Sequence, residues 1–488
     1  MHQEKSLKLN IVMNSILTVS NFVFPLLTYA YVARILMPEG TGKINFVQAL
    51  LAFFSYLASL GTYRYGIREC AKIREDKEKL SKCAQEIFFI NMLATLVAYA
   101  LLIIVVVIVQ KFREYSALIA VMSIGIILNT LGVEWLYSAL ELYTYITVRS
   151  LTFKLISVGL IFLLVRKPED YIIYGGLTIF ASSASNVLNL INSRKYIFFK
   201  RYEHYEIKKH LKPIMVFFLS SIAVTVYGQF DSIMIGFIKG DKENGIYGAT
   251  VKIKSVVSTL NSAFTAVMIP RISYYYEKNV KEQILSIQEK YMRLVWVIIV
   301  PFTIFIGINA EDVLSFVCGD EYLAGATTLS ITMICVLVMA VRNLLGDLVL
   351  IPDKREGTYS KAVFIGMILN IAMNFIMIPY WGNVGAIIAT LLTEIMVTLY
   401  MGKRCKENVV YIISQINYIP YMIATICGTI FFIAALKFTK PMPLFFRLCI
   451  DTVVLFGIYY GVLLLQKEEI TRMLLATVLQ KLKIKRNK

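Results

Sequence analysis

Charged side chains stand in otherwise apolar stretches of this chain, among them Glu134, Lys154, Asp231, Lys252, Lys254, Arg342, Asp347 and Glu394. At bilayer depth a charge costs a few kcal/mol even on the most lenient scale, so each must be paired, face water or serve a function. Lys252 and Lys254 lie in GIYGATVKIKSVVSTLNSAFTAVMIP (245–270). Residues i and i+2 point about 200° apart on a helix, so the two ammonium groups cannot share a direction. Asp231 lies about 12 Å below the end of the preceding apolar stretch, level with both lysines if the two stretches form a hairpin. One carboxylate cannot neutralise two ammonium groups. The functional expectation is that one lysine pairs with Asp231 while the other keeps its charge for a phosphate. The structural alternative is a stitch between helices, the second lysine snorkelling outward on its stem.

Glu134 and Lys154 form a second level pair, readable as a structural ion pair or as a latch that breaks when a gate opens. Arg342 has Asp347 five residues on as a possible partner. Glu394 has no obvious local partner and fits either a coupling proton or a buried, hydrogen-bonded carboxyl. Arg447 and Asp451 are spaced for an i,i+4 surface pair. Other chemistries lack their residues. No GxxxxGKS/T loop is present, so nucleotide hydrolysis by that route is excluded. His2, His204 and His210 fall in polar segments, so neither a metal cluster nor a histidine relay is expected. The seven cysteines form no CxxC and read as free thiols. No cofactor is implied.

The elements that must position these charges are long apolar helices. Of 488 residues, 58% are hydrophobic and 17% charged, and apolar runs of 18 or more recur throughout, each long enough for ~30 Å of hydrocarbon. Alternating ten-residue segments of a β-barrel are absent. The fold class is all-α and polytopic, with about fourteen spans. They are placed near 10–35, 44–65, 85–110, 115–140, 147–165, 170–194, 214–238, 246–269, 291–309, 323–350, 358–379, 384–402, 415–437 and 444–466. MHQEKSLKLN leads straight into the first span, so no cleavable leader is expected. Of the 50 lysines and arginines, 36 fall on the side of the termini, 10 on the other and 4 within spans. That bias places both termini in the cytoplasm and accounts for the net charge of +18 without nucleic acid, because basic loops face anionic lipid. The opposite loops are too short for a catalytic domain. The tail from 467 spaces Ile470, Leu474, Val478 and Leu482 helically among basic residues, as an amphipathic helix on the inner leaflet would.

RILMPEGTGKINFVQALL (34–51) and GFIKGDKENGIYGATVKI (236–253) each pair a charged, glycine-containing turn with the start of an apolar helix. Six spans separate them, so the repeats would be parallel, related by an axis along the membrane normal, with a cavity between two bundles. The expected division is a six-helix lobe over 1–200, a second over 201–405, two further spans over 406–466 and the basic tail 467–488.

GVEWLYSALELYTYITVRS (132–150), FDSIMIGFIKGDKENGIYGATVKI (230–253), MIPRISYY (268–275) and NIAMNFIMIPYWGNVGAIIATLLTE (370–394) resemble the Wzx-type oligosaccharide flippases. These belong to the multidrug/oligosaccharidyl-lipid/polysaccharide exporter superfamily. YVARILMPEGTGKINFVQAL (31–50) and YGIRE (65–69) resemble that family too. The resemblance implies two lobes around a central cavity in a bacterial inner membrane. It further implies alternating-access translocation of undecaprenyl-diphosphate-linked oligosaccharide to the outer leaflet, alongside glycosyltransferases and a polysaccharide polymerase. The family's tendency to carry a basic residue at the corresponding place favours Lys252 as the cavity-facing lysine, with Lys254 and Arg342 as further candidates. Two rival readings stay open. A drug exporter of the same superfamily would want an acidic cavity. A membrane glycosyltransferase or polymerase would want paired carboxylates on a long outer loop.

Overall fold

In the computed structural model, residues 7–486 are described, apart from the side chains of 7, 8, 11, 22, 217, 219–227 and 478–486. The described residues are mostly helical, and no strand occurs among them. Ten helical stretches there are long and apolar enough to cross a membrane. Two of them, Val12–Lys72 and Glu356–Arg404, each bend part-way and have length for two crossings. Together with Ile207–Ile238 and Asp241–Glu277, helices of 32 and 37 residues, the described chain is compatible with fourteen crossings. Large apolar side chains cover its outside: Leu93, Ile108, Phe375, Phe438 and Val453 are each more than 60% exposed. A water-soluble surface does not carry such a density; hydrocarbon is their solvent.

The bends follow from the sequence. Helix Leu7–Ser59 breaks at Met37, whose φ of 59° and ψ of 174° are non-helical. Pro38 follows, and a proline disfavours helical geometry in the residue before it. Helix Glu356–Arg404 breaks at Gly382, with φ 55° and ψ −127°, three residues after Pro379. That backbone conformation is open to glycine and to few others.

Two compact units compose the chain, Met1–Gly248 and Ala249–Lys488. The first is organised on the bent helix Leu7–Ser59. Packed against it are Lys77–Ile108, Ser116–Leu131, Tyr143–Leu164 and Ile207–Ile238, around a core that includes Leu36, Phe46, Val47 and Met122. A second core of this unit joins Tyr65, Ile87, Leu136, Tyr137 and Ile146. In the second unit, Ala326–Leu345 packs on Glu356–Arg404, and Ile419–Thr439 pairs with Leu444–Leu465. One-turn wide bulges interrupt helices at 180–184, 295–299 and 346–350, a distortion often found where a helix must redirect a functional side chain.

The two turn segments that look alike in sequence touch each other within the first unit. A Cβ on Gly42 would lie 1.8 Å from the carbonyl oxygen of Asp241, and one on Gly245 would lie 1.8 Å from that of Pro38. Asp241 is four residues before Gly245, and Pro38 four before Gly42, so the contact is reciprocal. Asn244 Nδ2 donates to the Gly42 carbonyl at 3.1 Å, and Asn45 Nδ2 to the Asn244 carbonyl at 3.4 Å. Both turns use glycine because no side chain fits between the backbones.

Candidate functional site

In the first unit, helix Ser116–Leu131 ends at Gly132, and Val133 in a left-handed conformation (φ 39°) restarts the chain as Glu134–Ala139. This break sets Glu134 on the wall of a cavity of about 300 Å³. Its other walls come from Ser55, Ser59, Asn91, Asn129 and Asn186, among others. The amides are held by neighbours. Asn91 Nδ2 donates to the Ala58 carbonyl at 2.7 Å, Thr62 donates to Asn91 Oδ1 at 3.2 Å, and Asn186 Nδ2 donates to Asn129 Oδ1 at 3.0 Å. The buried guanidinium of Arg149 donates to the Ser185 carbonyl and to Asn186 Oδ1, at 3.1 and 3.2 Å.

The expected ion pair of Glu134 with Lys154 does not form. The Lys154 ammonium donates to Ser20 Oγ at 2.8 Å and Asn21 Oδ1 at 2.5 Å. Helix Tyr143–Leu164 packs directly on the first helix, so neutral oxygens of that helix reach the lysine before the carboxylate does. Glu134 makes no hydrogen bond or ion pair among the described residues.

The second unit holds a buried ion pair that sequence spacing treats as two separate groups. Arg342 Nε lies 2.7 Å from Glu394 Oε2, with side-chain exposures of 17% and 1%. The local candidate for Arg342 was Asp347, and Glu394 had none. Packing of Ala326–Leu345 on Glu356–Arg404 supplies the partner. The pair leaves Arg342 already engaged by a carboxylate, and Glu394 held by a guanidinium. Removing one partner of such a pair leaves an uncompensated buried charge, worth roughly 3–5 kcal/mol.

Asp231, in the first unit, is buried and accepts a hydrogen bond from the Tyr247 hydroxyl at 2.6 Å. Lys252 and Lys254, in the second, are half-buried on helix Asp241–Glu277. Neither ammonium has a hydrogen-bond or ion-pair partner within that unit among the described residues.

One constellation goes against the expectation from the histidines. His210 is buried, its Nδ1 2.6 Å from the Tyr65 hydroxyl and its Nε2 2.8 Å from Glu86 Oε2. Glu86 Oε1 also accepts from the backbone of Glu206 at 2.6 Å. The chain ties the start of Ile207–Ile238 to Thr62–Lys72 and Lys77–Ile108. Polar flanking sequence hid it; the one signal was a glutamate set among apolar residues in QEIFFI. Arg447 also departs from its expected i,i+4 partner: it grips both oxygens of Asp312, at 2.8 and 2.9 Å. Asp451 is instead fully buried, accepting from Thr439 at 3.0 Å and Asn309 at 3.4 Å. The tail is helical over Glu469–Arg486. Ile470 is buried there and Leu474 is 38% exposed, while the side chains of Val478 and Leu482 lie outside the described residues.

These features define a class: an all-helical, multi-pass membrane protein whose spans carry buried and half-buried charges. The family model described as polysaccharide biosynthesis protein matches residues 7–276, more than half of the chain. The chain belongs to that family. It is 22% identical over 405 residues to the Escherichia coli (strain K12) protein named "Putative O-antigen transporter", covering 83% of this chain and 97% of that one. A Shigella dysenteriae protein of the same name is 25% identical over 407 residues, covering 82% and 100%. Among solved structures, lipid II flippase MurJ in an inward closed conformation superposes with a TM-score of 0.62. That match covers 94% of this chain and all of the other, at 14% identity, so the likeness is one of fold.

Proposed function

We propose that this protein is a flippase for lipid-linked oligosaccharides, working by alternating access in a bacterial inner membrane. Its cargo is an oligosaccharide on undecaprenyl diphosphate, taken from the cytoplasmic leaflet and released at the outer one for polysaccharide synthesis. The observation that carries this reading is the pair of half-buried ammonium groups at 252 and 254, unneutralised by any described residue of their own unit, in a chain of the polysaccharide biosynthesis family. A diphosphate is the strongly anionic part of such a cargo, and a compact ammonium can bind phosphate and then release it. The transporter names of the E. coli and S. dysenteriae relatives support transport rather than catalysis.

In this reading Lys252 meets the diphosphate, Lys254 and Arg342 are further candidates, and both termini are cytoplasmic, as the basic-residue bias implies. Glu394, held by Arg342, is less suited to carry a coupling proton than a carboxylate without such a partner. The test is polysaccharide export in cells lacking the native gene and complemented with variants. Lys252→Ala should lower export about tenfold or more, the scale of one charge-assisted hydrogen bond, with the protein still in the membrane. Wild-type export by that variant would remove the phosphate role.

A further inference from the structure

We propose that the chamber beside Glu134 in the first unit is a binding subsite for sugar rings. The inference rests on the flippase reading and adds a place for the glycan, separate from the lysines assigned to the phosphate. Three observations converge. At about 300 Å³, the chamber has the volume at which small-molecule sites begin, and it is far too small for a prenyl chain. Hydroxyl and amide groups line it, and their partners already fix several of these, as Asn91, Asn129 and Asn186 show. The frame is therefore set before anything binds.

The unused valences match a sugar. Glu134 presents a carboxylate with no protein hydrogen bond among the described residues, an acceptor for two adjacent hydroxyls. Asn129 engages its oxygen with Asn186, and its Nδ2 has no partner among the described residues. Ser55 likewise has no hydroxyl partner there, so it can donate or accept. A vicinal diol needs acceptors for its hydrogens and donors for its oxygens, and the lining offers both. Trp135 and Tyr63 add aromatic surface; Tyr63, 47% exposed, stands at the rim.

Charge narrows the ligand further. The Arg149 guanidinium donates to Asn186 on the chamber wall, so a metal or drug cation would meet a fixed positive charge there that an uncharged polyhydroxylated ring does not.

The test uses the full-length protein in lipid nanodiscs, with Trp296→Phe and Trp381→Phe so that Trp135 is the one remaining tryptophan. The probe is the repeat-unit oligosaccharide released by mild acid from the lipid carrier of the producing cell. Saturable change of Trp135 fluorescence is expected, weakened about tenfold or more by Glu134→Gln. Ser55→Leu, which narrows the chamber and leaves the carboxylate in the sequence, should abolish the response. Unchanged affinity in both variants, or a response to sodium ion in place of the sugar, would overturn the subsite. Transport of lipid-linked oligosaccharide into vesicles is read separately. Glu134-dependent sugar binding by a protein that moves no such lipid would sustain the subsite and sink the flippase reading.

Discussion

Gly42 and Gly245 carry the tightest constraint at the scale of single residues. Each sits where a Cβ would fall 1.8 Å from a backbone oxygen of the other turn, and backbone cannot swing aside as a long side chain can. Gly42→Ala and Gly245→Ala should each destabilise the detergent-purified protein by about 1–3 kcal/mol or more, the range for overpacking a close contact. Thermal unfolding monitored by circular dichroism checks this, and a wild-type midpoint in either variant would contradict it. By contrast, the Arg342–Glu394 pair, although buried, is no sign of stability in itself, because desolvation offsets most of the attraction. Its two members lie 52 residues apart in the sequence. No local spacing rule reaches that far, which is why the sequence reading offered Arg342 a neighbour at 347 and Glu394 none. Lys154 was misread for a related reason: its acceptors, Ser20 and Asn21, are uncharged and ordinary, and nothing in their identity points to a lysine more than 130 residues away.

At the scale of elements, the tail shows how one carboxylate can dock a helix. Glu468 is buried; it accepts from the Tyr421 hydroxyl at 2.8 Å and from the Thr471 backbone at 2.6 Å, capping Glu469–Arg486. Burial pushes this carboxyl up, but the hydrogen bonds to Thr471, Tyr421 and Ile470 outweigh it and hold the group below its ordinary 4.5. A carboxyl whose folded value is depressed contributes stability above its unfolded value, and that contribution is lost as pH falls through the folded one. Docking of the tail should therefore be complete at neutral pH and weaken only below about 4.5. Trp296, whose ring lies 5.9 Å from that of Tyr421, reports it by fluorescence. A transition that sets in only below about pH 4.5 and vanishes in Glu468→Gln is expected, and the same transition in that variant would contradict the capping role. Helical elements were legible because apolar runs of membrane length announce themselves. Their bends were legible too: the gaps left between spans 10–35 and 44–65, and between 358–379 and 384–402, hold the breaks at Met37 and Gly382.

Across the whole molecule, the likeness between segments 34–51 and 236–253 was the most informative pattern in the sequence. The structure brings those segments together through reciprocal glycines and exchanged asparagine hydrogen bonds. The compact units part at Gly248, inside the eighth apolar stretch, so the span from Ile207 to Ile238 packs with the first unit. The division of the chain into cationic and polar sites remains the part of the proposal most open to experiment: ammonium groups at 252 and 254 for the diphosphate, a polyhydroxyl-binding chamber beside Glu134 for the glycan. The most direct measurement reconstitutes the purified protein in vesicles carrying undecaprenyl-diphosphate-linked oligosaccharide, and counts the sugar reached by an added lectin that cannot cross the bilayer. The proposal predicts that wild-type protein exposes sugar from the inner leaflet much faster than empty vesicles do, and that Lys252→Ala falls to near the empty-vesicle rate. Equal rates for wild-type protein and empty vesicles, with the protein folded and inserted, would contradict it.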